Sequence, residues 1–291
     1  GCVFNVCANH LDRTHKDNGY QLVLLAKNKQ GYHHLAKMAS IASTVGFYYV
    51  PRVDKEVIKL YRDDLIALSG DTYGEVAGKI LNLGAQQAEE ALLYWKDQFK
   101  EDFYLELIRH GLENEDLVNR TLLELSKKHH VKVVATNTTF YIDKADAEAQ
   151  DILLCVKDNE KKSTPVSRGR GSRYGLPNAE FYFKTQDEMK SLFSDVPEAI
   201  INIQEIVEKI EPFILARKVL LPKFDIPKEF QAAEDEVDGG NRGENNYLKH
   251  LAYIGAKMRF THLDEALIER IEFELEIIKK TGYPGYFLLV H

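Results

Sequence analysis

The stretch VKVVATNTTFY, residues 131–141, decides how the fold is read. Val131, Val133, Val134 and Ala135 make a short apolar run rich in β-branched residues, suited to a strand covered on both faces. A polar loop follows at once. In barrels and open α/β sheets, chemistry collects in the loops at the carboxyl ends of such strands. Here that loop offers Thr138, Thr139 and Phe140, none of which holds a metal or carries a proton at neutral pH. It is a catalytic address without catalytic side chains.

Working outward, strand-like and helix-like segments alternate through the first half. Residues 21–27 (QLVLLAK), 65–69 (LIALS) and 103–107 (FYLEL) read as strands. Residues 30–45 read as an amphipathic helix with Leu35, Met38, Ala39 and Ala42 on one side. Residues 54–61 form a short helix capped by Asp54. Helices also cover 75–83 and 85–99, with Gly84 as the breaker, and then 115–129 and 146–156. Repeated βα units of this size predict parallel strands with outer helices, in a barrel or an open sheet.

Beyond residue 156 the pattern changes. Residues 157–175 read as a polar loop holding Gly169, Gly171 and Gly175. Thr185 caps a helix to 193, with Glu188 placed for a capping box, and Pro197 starts another to about 210. Pro222 and Pro227 keep 220–230 extended. The acidic, Gly/Asn-rich stretch 231–246 reads as a flexible linker, and helices follow over 247–260 and 263–281. The resulting division is 1–215, a connection over 216–246, and 247–291.

Composition narrows the function classes. The 291 residues are 44% apolar and 29% charged, with 45 acidic and 38 basic residues and a formal charge of −7. A mildly acidic chain is not a general nucleic-acid binder, so any DNA contact has to come from local basic loops. Cys2, Cys7 and Cys155 form no CxxC pair or disulfide framework and suit a reducing, cytoplasmic setting as small buried hydrophobes. No apolar run approaches the roughly 20 residues that a membrane span needs.

The candidate motifs are few. Arg168, Arg170 and Arg173, in RGRGSR, are placed to meet phosphates, although a solvated loop is the plainer reading. Glu106, Arg109 and His110 follow or lie in a strand and can share a cleft. Asp71 is the one carboxylate standing where a metal ligand is expected. One carboxylate cannot organise a metal site, which needs about three protein ligands.

Several segments together resemble one family: DNGYQLVLLAKN (17–28), GFYYVPRVD (46–54), LIALSGDTYGE (65–75), DFYLELIRHGL (102–112), VATNTTFY (134–141), AEAQDILLCV (147–156) and FELEIIKKTGYPGYFLLV (273–290). In this order they are similar to the alpha subunits of bacterial DNA polymerase III, C-family replicative polymerases, over the N-terminal PHP (polymerase and histidinol phosphatase) domain and the beginning of the palm. The resemblance implies an α/β fold of PHP type, a distorted (β/α)7 barrel here lacking its first β/α units, followed by a mainly helical start of the palm. In many relatives the barrel holds a divalent-metal cluster that supports 3′–5′ exonuclease or phosphoesterase chemistry, in which the ions activate water and stabilise the leaving oxygen.

Carried over residue by residue, those ligand positions are substituted. A family Glu is Val3, a His is Gln21, a Cys or His is Asp71, and an Asp and a His are Thr138 and Phe140. A further His is Gln150. Only Asp71 is ligand-competent, so the resemblance implies a degenerate, metal-free domain in which Val3 and Phe140 fill the former cavity. The polymerase aspartates and their Mg2+ would belong to the palm beyond His291, leaving this portion inactive as an enzyme. Its implied role is a brace and a docking site for a proofreading exonuclease subunit, among other replicase subunits, with DNA the parent protein's partner. Two competing readings are an active metal-dependent phosphoesterase using Asp71, Glu106 and His110, and a nucleic-acid module using the three arginines.

Overall fold

The computed structural model describes residues 1–167, 171–216 and 224–291. They fall into two compact units, Gly1–Phe213 and Ile214–His291.

The first unit is built on a six-stranded mixed sheet in the order β3-β1-β2-β4-β5-β6. The strands are β1 (Cys2–Cys7), β2 (Tyr20–Ala26), β3 (Val53–Asp54), β4 (Leu65–Leu68), β5 (Phe103–Ile108) and β6 (Val133–Thr136). The other neighbours pair in parallel, but β2 runs antiparallel to both β1 and β4. That corrects the expectation of an all-parallel sheet. A parallel return needs a long crossover, whereas antiparallel strands need only a loop. Residues 8–19 contain no helix, so the chain turns back beside itself. Gly19 closes this return at φ +71, where a Cβ would lie 2.3 Å from the Val6 carbonyl carbon.

Alternation along the strands sets the two faces. Phe4, Val6, Leu22, Leu24, Leu65, Ala67, Leu105 and Val133 point into the main core. There they meet α1 (Lys29–Thr44), α2 (Lys55–Tyr61), α3 (Glu75–Asn82), α4 (Ala85–Phe99) and α5 (Glu113–His129). Beyond α6 (Ala147–Asp158), Phe193 at the end of α7 (Gln186–Leu192) closes the same core. The opposite face is covered over Ile66, Leu68, Tyr104 and Val134 by Ile206 of α8 (Glu198–Glu208). Polar bonds fix α8 there: Tyr104 Oη donates to Glu205 at 2.7 Å, and Asn202 Nδ2 donates to the Val133 carbonyl at 2.9 Å.

The local chemistry follows the sequence closely. Asp54 Oδ1 accepts the Val57 N–H at 3.0 Å as the cap of α2. Gly84 sits at φ +115 between α3 and α4. Thr185 and Glu188 form the capping box of α7. Cys7 and Cys155 are buried, whereas Cys2 is half-buried.

The second unit holds α9 (Ala233–Asp238), α10 (Arg242–Arg259), α11 (Glu265–Thr281) and α12 (Pro284–Val290). The stretch expected as a flexible linker is largely helical. Arg242 bridges Asp235 and Asp238, its Nη1 2.9 Å from the first and its Nη2 2.6 Å from the second, and Gly239 makes the left-handed turn at φ +70. An acidic composition suggested disorder, but one internal arginine neutralises the local repulsion. Pro284 opens α12 at a position where its missing N–H costs nothing.

Candidate functional site

The strand directions bring the carboxyl ends of β1, β3, β4, β5 and β6, and the opening end of β2, to one edge of the sheet. Cys7, Gln21, Asp54, Asp71, Glu106, His110 and Thr138 belong to this mouth.

Asp71 stands in the turn that leaves β4. Its Oδ1 accepts the Tyr73 N–H and its carbonyl accepts the Gly74 N–H, both at 2.8 Å. Burial pushes its carboxyl above the usual range.

Glu106 lies on the same sheet face as Thr136, one strand over. Its N–H donates to Ser69 Oγ at 2.9 Å, while its Oε2 and the Thr136 Oγ1 are buried without a geometrically sound hydrogen bond. Burial, and after it the charge of Asp71, lifts the carboxyl to about 6, against the pull of the adjacent Thr136 hydroxyl. Burying a carboxylate behind so few donors is expensive, and taking up a proton is the ordinary remedy.

His110 is 1% exposed, yet both ring nitrogens are engaged. Nδ1 faces Glu115 Oε1 at 3.1 Å, and Nε2 accepts the Thr138 N–H at 3.2 Å, which assigns the tautomer with the proton on Nδ1. The ring stacks on Phe181 at 4.4 Å and 7°, and the His110 carbonyl accepts Asn178 Nδ2 at 2.7 Å. Glu115 Oε2 accepts the His110 and Leu112 N–H groups at 2.7 and 3.1 Å. Burial opposes its charge, but these bonds hold the Glu115 carboxyl below its usual range. His110 therefore joins β5, α5, the 137–141 loop and residues 178–181, and has no free nitrogen for a metal.

At the rim, His10 Nδ1 meets Asp54 Oδ2 at 2.5 Å. Beside them Arg52 is fully buried. Its guanidinium donates to the carbonyls of Gly46, Asp17, His10 and Asp12, at 3.1, 3.0, 3.3 and 2.8 Å. Its Cζ also lies 5.3 Å from the centre of the Tyr48 ring.

The other expected site residues fall as follows. Arg109 is drawn away from the mouth, its guanidinium spanning Asp195 at 2.6 and 2.8 Å. Arg173 is buried and forks onto Asp151, again at 2.6 and 2.8 Å, so it is not a solvated loop residue. Arg168 and Arg170 lie outside the described residues. Val3 and Phe140, expected to plug a cavity, are instead 53% and 46% exposed. Val3 shares a sheet face with its cross-strand partner Val23, which packs against the Ile206 cluster while Val3 stays exposed. Gln21 is half-buried and its N–H donates to the Tyr73 carbonyl at 2.9 Å. Gln150 lies half-buried on α6.

The donor set does not fit a metal cluster. Among the described residues, no group of three or more His, Cys, Asp or Glu side chains converges to hold an ion. Arg52 and the His110–Glu115 pair were not singled out by sequence reading. A Glu three residues past Leu112, at the opening of a helix, was the available signal for the latter.

Comparison with known proteins gives the lineage. Residues 1–110 match the PHP domain family, and residues 246–291 match the bacterial DNA polymerase III alpha NTPase domain. The DNA polymerase III subunit alpha of Borreliella burgdorferi is 39% identical over 272 residues, covering 93% of this chain and 22% of the relative. Those of Campylobacter jejuni and Treponema pallidum are each 32% identical, over 97% and 100% of this chain and 25% and 24% of the relatives. The chain thus spans about a quarter or less of these relatives' length. It carries a PHP domain and is related along nearly all of its length to DNA polymerase III alpha subunits.

Proposed function

We propose that the first unit serves a DNA polymerase III alpha subunit as a PHP scaffold that works without a metal cluster, bracing the polymerase and docking a proofreading exonuclease subunit. Template-directed DNA synthesis, with its Mg2+, would then be the work of the larger protein.

The supporting observation is His110. The mouth's buried imidazole spends one nitrogen on Glu115 and the other on the Thr138 N–H, tying strand, helix and loops together. A ligand histidine needs one nitrogen free. Here the chemistry has become structural: side chains that would grip ions hold backbone instead. The docking role is the part of the reading that comes from the family.

The test is elemental analysis of the purified chain together with hydrolysis of a 3′-labelled single strand. Zinc and manganese below stoichiometry, with no chelator-sensitive cleavage, is the expected result. Two or three ions per chain, with cleavage abolished by chelator and by Asp71→Asn, would establish the phosphoesterase reading instead.

A further inference from the structure

We propose that residues 46–51 and the facing loop 8–19 form a binding site for single-stranded nucleic acid. Phe47 and Tyr49 would stack on bases, and Arg13 and Lys16 would meet phosphates.

Phe47 and Tyr49 are 50% and 62% exposed, a large share of ring surface to leave in water. Tyr49 is also strained. Its φ of +63 is a backbone conformation that a bulky side chain rarely adopts. Such strain persists only where the surroundings impose it, and here the surroundings are explicit. Arg52 Nε grips the Gly46 carbonyl at one end, and the Tyr48 N–H donates to the Val50 carbonyl at 3.2 Å across the turn. The Tyr48 ring supports the Tyr49 ring edge to face at 4.7 Å. The result is an aromatic ring held out in solvent at a conformational cost.

The charges beside it have the right sign. Lys16 Nζ lies 5.0 Å from the centre of the Tyr49 ring, and Arg13 Nη2 donates to the Val45 carbonyl at 3.1 Å. Both side chains are otherwise exposed. The neighbouring carboxylates are engaged within the loop: Asp12 accepts the Thr14 N–H at 2.8 Å and faces His15 at 3.2 Å, and Asp17 accepts the N–H groups of Ala8 and Gly19 at 2.9 Å. Buried Arg52 adds a fixed positive charge beneath the loop. In a chain of net charge −7 this is a local basic surface interleaved with exposed rings, which is how single strands are held without sequence preference. A protein partner would use the rings equally well but gives no reason for the flanking cations.

The site rests on surface geometry and is independent of whether the mouth binds metal. Its test uses the 291-residue chain and a fluorescein-labelled oligo-dT in fluorescence anisotropy across a salt series. Phe47→Ala and Tyr49→Ala should each weaken binding about five-fold or more, and Lys16→Ala should reduce the salt slope by about one. Tyr49→Gly gives the separating result: relief of the left-handed strain should raise the melting temperature while binding falls. Absence of saturable oligo-dT binding overturns the proposal, as does wild-type affinity in the Phe47→Ala and Tyr49→Ala variants.

Discussion

Replacing Glu106 by Gln should stabilise the protein, and only at neutral pH. The fold lifts this carboxyl from 4.5 to about 6, chiefly by burial, so the native state holds its proton more tightly than the unfolded chain does. Stability from this group is fully present below about 4.5 and is lost as pH rises through 6. At about 1.4 kcal/mol per unit, the ionised site costs about 2 kcal/mol at pH 7.5. Glutamine keeps the shape, removes the charge beside Asp71, and can still meet the adjacent Thr136 hydroxyl. For a unit of this size the gain corresponds to roughly 4–8 °C in melting temperature. Thermal unfolding of both proteins from pH 4 to 8 should show a gap that widens with pH and closes only below about 4.5. A gap independent of pH would refute the argument. So would a less stable variant at pH 7.5 whose deficit disappears when the wild type is treated with chelator, because that is the behaviour of a carboxylate holding a cation.

Arg52→Met should cost about 3 kcal/mol or more, because four hydrogen bonds from a buried guanidinium to backbone carbonyls are lost together; urea unfolding measures it, and faster proteolysis within residues 8–19 should accompany it. Glu75 accepts Trp95 Nε1 at 2.8 Å and Lys79 and Lys55 at 2.8 and 2.9 Å, and the two lysines hold it below its usual range despite burial. Glu75→Leu should therefore destabilise by about 3 kcal/mol at pH 7, and by less as pH falls through the carboxylate range, readable in the same unfolding assay. Glu205, held to about 2 by Lys132 with help from Tyr104 and Lys209, is partly exposed, so Glu205→Gln should cost only about 1 kcal/mol and loosen hydrogen-exchange protection along β6. His110→Gln should leave zinc content unchanged and raise exchange of the Thr138 amide, because that N–H loses its acceptor.

Much of the fold was legible because local signals and burial agree. Asp54, Gly84 and Thr185 each mark a helix boundary through chemistry confined to three or four residues. The direction of β2 was not legible from periodicity, since a strand pattern is the same in either sense; only the absence of a helix between residues 7 and 20 carried that information. Reading the mouth required knowing what each side chain touches. Asp71 and Glu106 could be named from their places after and within strands. Arg173 looked like a free cation because its partner, Asp151, lies 22 residues away. Val3 and Phe140 were assigned a filling role from their residue type, and exposure depends on which elements cover a face.

Arg52 addresses its loop only through carbonyl oxygens, the part of a residue that all twenty share. Three carbonyls of residues 8–19 are therefore held in a way that does not depend on their own side chains, with the His10–Asp54 and Asp17 contacts as additional ties. One guanidinium thus keeps the backbone in place, and outward side chains such as Arg13 and Lys16 can be given over to other work.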